Sequence, residues 1–237
     1  MKKILHFILI SLFSLTVISC AKKSDTSSSS TTSSGLFIAV GASGTLLTSS
    51  DGTTWTSRTS GTSKNINNVA YGNNKFIVVG DNGTTLYSSD GITWTDWTSS
   101  CGANDNESLW DVAYGSSIWV AVGDNGSIYT SDESSCTKRT SGTTVEFNEL
   151  LYGNNTFVAV GDNGTIRTSD NGTSWSSGAL NGVDSSADLR GVAYGLETWV
   201  IVGKDGVIYT IKDDETTYTL RTSGTTVDLR RVYSLVD

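Results

Sequence analysis

An all-β fold of repeated four-stranded sheets is predicted by three observations. Phe or Trp, then a β-branched run and Val-Gly, occurs five times, as FIAVG (37–41), FIVVG (76–80), WVAVG (119–123), FVAVG (157–161) and WVIVG (199–203). The closing glycines Gly41, Gly80, Gly123, Gly161 and Gly203 are separated by 39, 43, 38 and 42 residues. Asn-Gly turns follow three of these runs, and the chain has no proline to demote a strand to a sheet edge. A period near 40 with several short strands per unit is what a blade of a β-propeller requires, and five units read as five blades.

Each unit parses alike, and 152–175 is the cleanest copy. Strand a reads NVAYG (68–72), DVAYG (111–115), ELLYG (149–153) and GVAYG (191–195), and strand b is the aromatic-led run. Between b and c stand Asp81-Asn82-Gly83, Asp124-Asn125-Gly126 and Asp162-Asn163-Gly164, where Asn and Gly both tolerate the positive φ of a tight hairpin. Strand d starts at Trp55, Trp94 or Trp175 and often ends in Arg-Thr-Ser-Gly-Thr (58–62, 139–143, 221–225). The first unit begins at strand b, while LRRVYSLVD (229–237) resembles the strand a of LRGVAY (189–194). The expectation is that this last strand completes the first blade and leaves no open sheet edge.

Residues 1–20 read as an export signal, with Lys2 and Lys3 ahead of an apolar stretch. Val17-Ile18-Ser19-Cys20 resembles a bacterial lipobox, which implies palmitate-type acylation of Cys20 and anchoring in the bacterial cell envelope, at the outer membrane or cell surface. Residues 21–35 are a Ser/Thr-rich tether, and 36–237 form the propeller. The one histidine, His6, lies in the signal, so the mature chain has no Ser-His-Asp triad, His base or His-ligated zinc. Loss of Lys2 and Lys3 leaves 14 basic against 24 acidic residues, a net charge of −10, which excludes nucleic acid as an expected partner. With Cys20 lipidated, Cys101 and Cys136 remain as a pair in an oxidising compartment and read as a structural disulfide.

The c–d segments SSDGTTW (49–55), SSDGITW (88–94) and TSDNGTSW (168–175) resemble the Asp-box, or BNR, repeats of sialidase-type propellers. The resemblance implies structural roles for Asp51, Gly52, Trp55, Asp90, Gly91, Trp94, Asp170, Gly172 and Trp175: the carboxylate holds turn donors, Gly permits the bend and Trp packs between blades. Cys136 and Tyr218 stand in the Trp place in the third and fifth copies. Asp-box repeats occur with unrelated activities, so the resemblance speaks to fold.

In such propellers the d–a loops and b–c turns share the ligand face. The candidate ligand-face residues are Trp110, Asp111, Glu149, Arg190, Arg230 and Arg231, with Asn67 and Asn148 at equivalent places. A sialidase uses an arginine cluster with Tyr, Glu and Asp partners. Arg190, Arg230 and Arg231 with Glu149 or Asp111 match fragments of that set, but the FRIP-like arginine segment is missing. The turn aspartates Asp81, Asp124 and Asp162 are single carboxylates, which do not make a calcium cage, and neither a metal nor another cofactor is expected. Hairpin chemistry is taken to explain them. Photosystem II assembly factors resemble the chain in repeat type and act by protein contacts. Lectins of the tachylectin type hold a sugar on each blade. The leading expectation is therefore a lipid-anchored, non-catalytic propeller that binds a protein or other macromolecule; the alternative is a carbohydrate-binding propeller, and a sialidase-type glycosidase comes third.

Overall fold

The structure, a computed structural model, describes residues 35–98, 107–176 and 181–235. The export signal, most of the tether, Cys20 and Cys101 lie outside these residues. Five antiparallel meanders follow one another. Sheet 1 holds β1 (Phe37–Val40), β2 (Leu46–Ser49) and β3 (Thr56–Ser57). Sheet 2 holds β4 (Ile66–Gly72), β5 (Lys75–Gly80), β6 (Thr85–Ser88) and β7 (Thr95–Asp96). Sheet 3 holds β8 (Leu109–Gly115), β9 (Ile118–Gly123), β10 (Ile128–Ser131) and β11 (Cys136–Arg139). Sheet 4 holds β12 (Phe147–Gly153), β13 (Thr156–Gly161) and β14 (Ile166–Ser169). Sheet 5 holds β15 (Leu189–Gly195), β16 (Thr198–Gly203), β17 (Ile208–Lys212) and β18 (Thr219–Arg221). Sheets 1 and 4 therefore have three strands among the described residues rather than the expected four. In sheet 4 the fourth is only begun, where the Ser176 N–H donates to the Thr168 carbonyl at 2.9 Å.

The unbroken apolar runs follow from stacking, because a sheet covered on both faces needs apolar side chains on both. Alternate residues of one strand go to opposite neighbours. Phe76 and Val78 pack toward sheet 1, Ile77 and Val79 toward sheet 3. Trp119 and Ala121 pack toward sheet 2, Val120 and Val122 toward sheet 4. Buried clusters thus fill the interfaces between sheets 1 and 2, 2 and 3, 3 and 4, and 4 and 5. The b–c turns form as expected, with Asn82 at φ 54° and Gly83 at φ 68°.

Among the described residues no strand ladder joins 229–235 to sheet 1. β1 pairs with β2 alone, and residues 229–235 carry no strand. The segment starts as an inner strand would: the Leu229 N–H donates to the Gly203 carbonyl at 2.9 Å, as Ile66 donates to Gly41 at 3.0 Å. Beyond Arg231 it departs, and Tyr233 and Leu235 are 78% and 99% exposed. The segment also differs from what the other inner strands carry. They end in Tyr-Gly, and Gly72, Gly115 and Gly153 each receive the Tyr ring of the next sheet so closely that a Cβ on Gly115 would overlap Tyr152. Ser234 and Leu235 stand where that Tyr-Gly pair would be. On sheet 1 the uncovered face leaves Phe37 and Trp55 38% and 42% exposed.

Candidate functional site

Four inner strands share one irregularity. The pairing register slips by one residue between Ile66 and Asn68, Leu109 and Asp111, Phe147 and Glu149, and Leu189 and Gly191. The residue left over in each bulge is Asn67, Trp110, Asn148 or Arg190, and a bulge re-aims the side chain it carries. Asn67 Nδ2 donates to Asp81 Oδ1 at 3.1 Å, Trp110 Nε1 to Asp124 Oδ1 at 2.8 Å and Asn148 Nδ2 to Asp162 Oδ1 at 2.8 Å. Sheet 5 carries Lys204 at the turn position, which repels a cation, so Arg190 leans back to sheet 4. Its guanidinium donates to Asn148 Oδ1 at 3.0 Å and pairs with Asp162 at 3.3 Å and Asp188 at 3.7 Å. The turn aspartates are thus more than hairpin formers. They anchor the bulge residues, and the signal was present in the constant spacing of 14 residues from Asn67 to Asp81, Trp110 to Asp124 and Asn148 to Asp162.

The next position faces the neighbouring sheet. Inner strands have one edge without a ladder partner, and their N–H groups need acceptors. Asp111 Oδ2 accepts the Leu150 N–H at 2.8 Å, and its Oδ1 accepts the Val112 N–H at 2.7 Å and Asn68 Nδ2 at 2.6 Å. Glu149 Oε2 accepts the Val192 N–H at 2.7 Å, and its Oε1 accepts Arg231 Nη1. Both carboxylates are buried. Burial pushes the Asp111 carboxyl up to about 6, and burial reinforced by the Asp111 charge pushes Glu149 up to about 7. Burial alone would lower the Arg231 guanidinium, but Glu149 and Asp111 outweigh it and raise it. Of the residues singled out in sequence, Asp111, Glu149 and Arg231 therefore come together. Arg190 sits apart on Asp162 and Asp188, and Arg230 is exposed. The sialidase-like grouping around Arg190 is not assembled.

The c–d turns hold their acceptors as the repeat predicts in the first two copies. Asp51 Oδ1 takes the Thr53 and Thr54 N–H groups at 2.8 and 2.7 Å, and Asp90 Oδ1 those of Ile92 and Thr93 at 2.7 and 2.8 Å. The Thr93 and Ile92 donors hold the Asp90 carboxyl down at about 2. Trp94 and Trp175 Nε1 donate to the Gly91 and Gly172 carbonyls at 3.1 and 2.8 Å. The fourth copy differs from the expectation. Asn171, not Asp170, accepts the Thr173 and Ser174 N–H groups, each at 2.9 Å, while Asp170 accepts the Thr156 hydroxyl at 3.2 Å. The acceptor is the residue just before the turn glycine, as Asp51 precedes Gly52 and Asp90 precedes Gly91, and the residue before Gly172 is Asn171. Cys136 is half-buried against Trp97 and Trp119, and its expected partner Cys101 lies outside the described residues.

No family model and no curated protein matches the chain. Solved structures do. An ancestral GH74 enzyme aligns at a TM-score of 0.62 and 15% identity over 83% of this chain and 30% of its own. The computationally designed Ika8 protein aligns at a TM-score of 0.68 and 14% identity over 92% of this chain and 65% of its own. YCF48 from Cyanidioschyzon merolae aligns at a TM-score of 0.57 and 17% identity over 81% of this chain and 66% of its own. The chain thus spans less than a third of the GH74 enzyme. At these identities the likeness shows the fold, a β-propeller, alone.

Proposed function

We propose that this chain is an exported lipoprotein, anchored through Cys20, whose propeller is a non-catalytic scaffold that binds a protein or other macromolecule on the face of the b–c turns. One observation carries the reading. The carboxylates that sequence nominated for chemistry accept backbone N–H groups of a neighbouring sheet, Asp111 from Leu150 and Glu149 from Val192, so they brace the scaffold. What differs from copy to copy is the bulge residue, Asn67, Trp110, Asn148 or Arg190, which supplies a rigid and varied surface. The c–d turns act as Asp-box turns, as the Asp51 and Asp90 geometry supports. The ring closes as five blades when 229–235 completes sheet 1, a reading supported by the start Leu229 makes on Gly203 and by Phe37 and Trp55, which closure covers.

The test is cross-linking of the full-length protein in intact envelopes, with Trp110→Ala and Arg190→Glu beside the wild type. Recovery of one defined partner by the wild type, lost in both variants at unchanged melting temperature, is expected. Equal recovery by the variants overturns the docking face. In the same cells, labelled palmitate is incorporated by the wild type and not by Cys20→Ser.

A further inference from the structure

Three departures from the repeat meet in one place. In sheets 1, 3 and 5 the last strand carries, or is directly followed by, Arg58, Arg139 or Arg221, whose Nε donates at 2.8 Å to the hydroxyl of Thr48, Thr130 or Thr210. In sheet 2 both positions change together, to Trp97 and Tyr87, whose rings meet edge to face at 5.7 Å. The third departure is Glu133, in the c–d turn of sheet 3. The equivalent residues are Gly52, Gly91 and Gly172 at φ 74°, 71° and 72°, and Glu133 holds the same left-handed backbone at φ 76°. A side chain kept in this left-handed conformation, where three other copies use glycine and the fifth has Glu215 without a positive φ, is local strain, and strain of this kind gathers at functional sites.

Together with Lys75, Thr95 and Asp96, these residues line a cleft of about 320 Å³ between sheets 2 and 3, within the size range of small-molecule sites. Glu133 accepts Asn73 Nδ2 at 2.7 Å and Lys75 Nζ. Lys75 holds the Glu133 carboxyl below its ordinary range against the effect of burial, and Asn73 and the Trp119 indole add to this. Trp119, 3% exposed, backs the carboxylate with its indole.

We propose that this cleft is a binding site for a neutral sugar residue. The lining sets Lys75 beside Glu133 and Asp96, so a ligand of one charge meets a like charge next to each opposite one. A polyhydroxylated ring satisfies both, because its hydroxyls donate to the carboxylates and accept from the ammonium. Its C–H face lies on the Trp97 indole, an apolar surface with a polar edge. The site stands on the c–d turn side, away from the b–c turn face, and is independent of the scaffold reading.

The test is a glycan array probed with the full-length, detergent-solubilised protein, followed by titration of the retained glycan. A subset of neutral glycans is retained, with binding at least tenfold weaker in Trp97→Arg and in Glu133→Gly and unchanged in Arg221→Ala and Arg190→Glu. Each of the first two variants installs the residue that other copies carry. Glu133→Gly keeps the melting temperature of the wild type, so its loss of binding does not come from unfolding. Retention of no glycan, retention that survives both variants, or selection of Lys- or Arg-bearing peptides instead overturns the proposal. Because Arg190→Glu breaks the docking face and spares the cleft, failure of one reading is distinguishable from failure of the other.

Discussion

The inner wall and the cleft between sheets 2 and 3 each hold a glutamate bonded to a cation, Glu149 to Arg231 and Glu133 to Lys75. They differ in what else the carboxylate meets. Glu149 is buried and takes the Val192 N–H of the next sheet, a bond that any closed stack of inner strands needs. Glu133 is half-buried, takes the side chain of Asn73, and sits on backbone suited to glycine. The difference teaches that a carboxylate serving a neighbour's backbone belongs to the frame. One held at a strained turn by side chains, beside an aromatic pair that breaks the repeat, is free to serve a ligand.

The largest expected effect sharpens the cleft side. Cys136 packs against Trp97 and Trp119 where other copies place Trp, and the prediction is that a disulfide to Cys101 ties that strand down. Reduction lowers unfolding free energy by about 3 kcal/mol, read as a shift in denaturant midpoint. Thiol labelling of both cysteines in unreduced exported protein removes the prediction.

The next breaks the wall. Asp111→Ala leaves the Leu150 N–H buried without its acceptor and costs about 1–3 kcal/mol. The pH dependence has a definite sign. Burial, and for Glu149 the neighbouring Asp111 charge, raises both carboxyls above their ordinary range in the fold, so the folded state keeps these protons longer. Their contribution is complete below about pH 4 and is lost as pH rises through the raised folded range. Denaturation midpoints of the wild type fall across this window, and the Asp111→Asn, Glu149→Gln double variant flattens the slope. A slope unchanged by the double variant refutes the assignment.

The smallest effect tests whether the aromatic pair acts as a unit. Trp97→Arg and Tyr87→Thr together restore the clip of sheets 1, 3 and 5, so the double variant is more stable than the two single losses predict. The coupling is about 1 kcal/mol, read from a double-mutant cycle. Additive losses show that the two positions do not act as a pair.

Much of this protein was legible before folding. Strand b runs, the Asn82-Gly83 type of turn and the Trp94 and Trp175 anchors depend on neighbours within a few residues, and each appears where it was expected. Acidic identity points to Asp170, but the turn takes as acceptor the residue just before its glycine, which is Asn171. Arg190 and Arg231 both stand at inner-strand positions in the sequence, but the bulge turns Arg190 to the turn face while Arg231 reaches Glu149.

The sequence by itself determined the repeat, its strands and its turns, since alternation and backbone preference act over a few residues. Only the tertiary structure decided the partners. Asn68 and Asp111 are 43 residues apart, Asp111 and Leu150 are 39 apart, and Lys75 and Glu133 are 58 apart. Stacked sheets bring them within hydrogen-bond reach, and period alone does not say which of two equivalent positions will face backbone, cation or open cleft. The same holds for the seam. LRRVYSL matches an inner strand at its start. Its seating is decided by the fit to the neighbouring sheet, where Ser234 and Leu235 stand in place of the Tyr-Gly pair of the other inner strands.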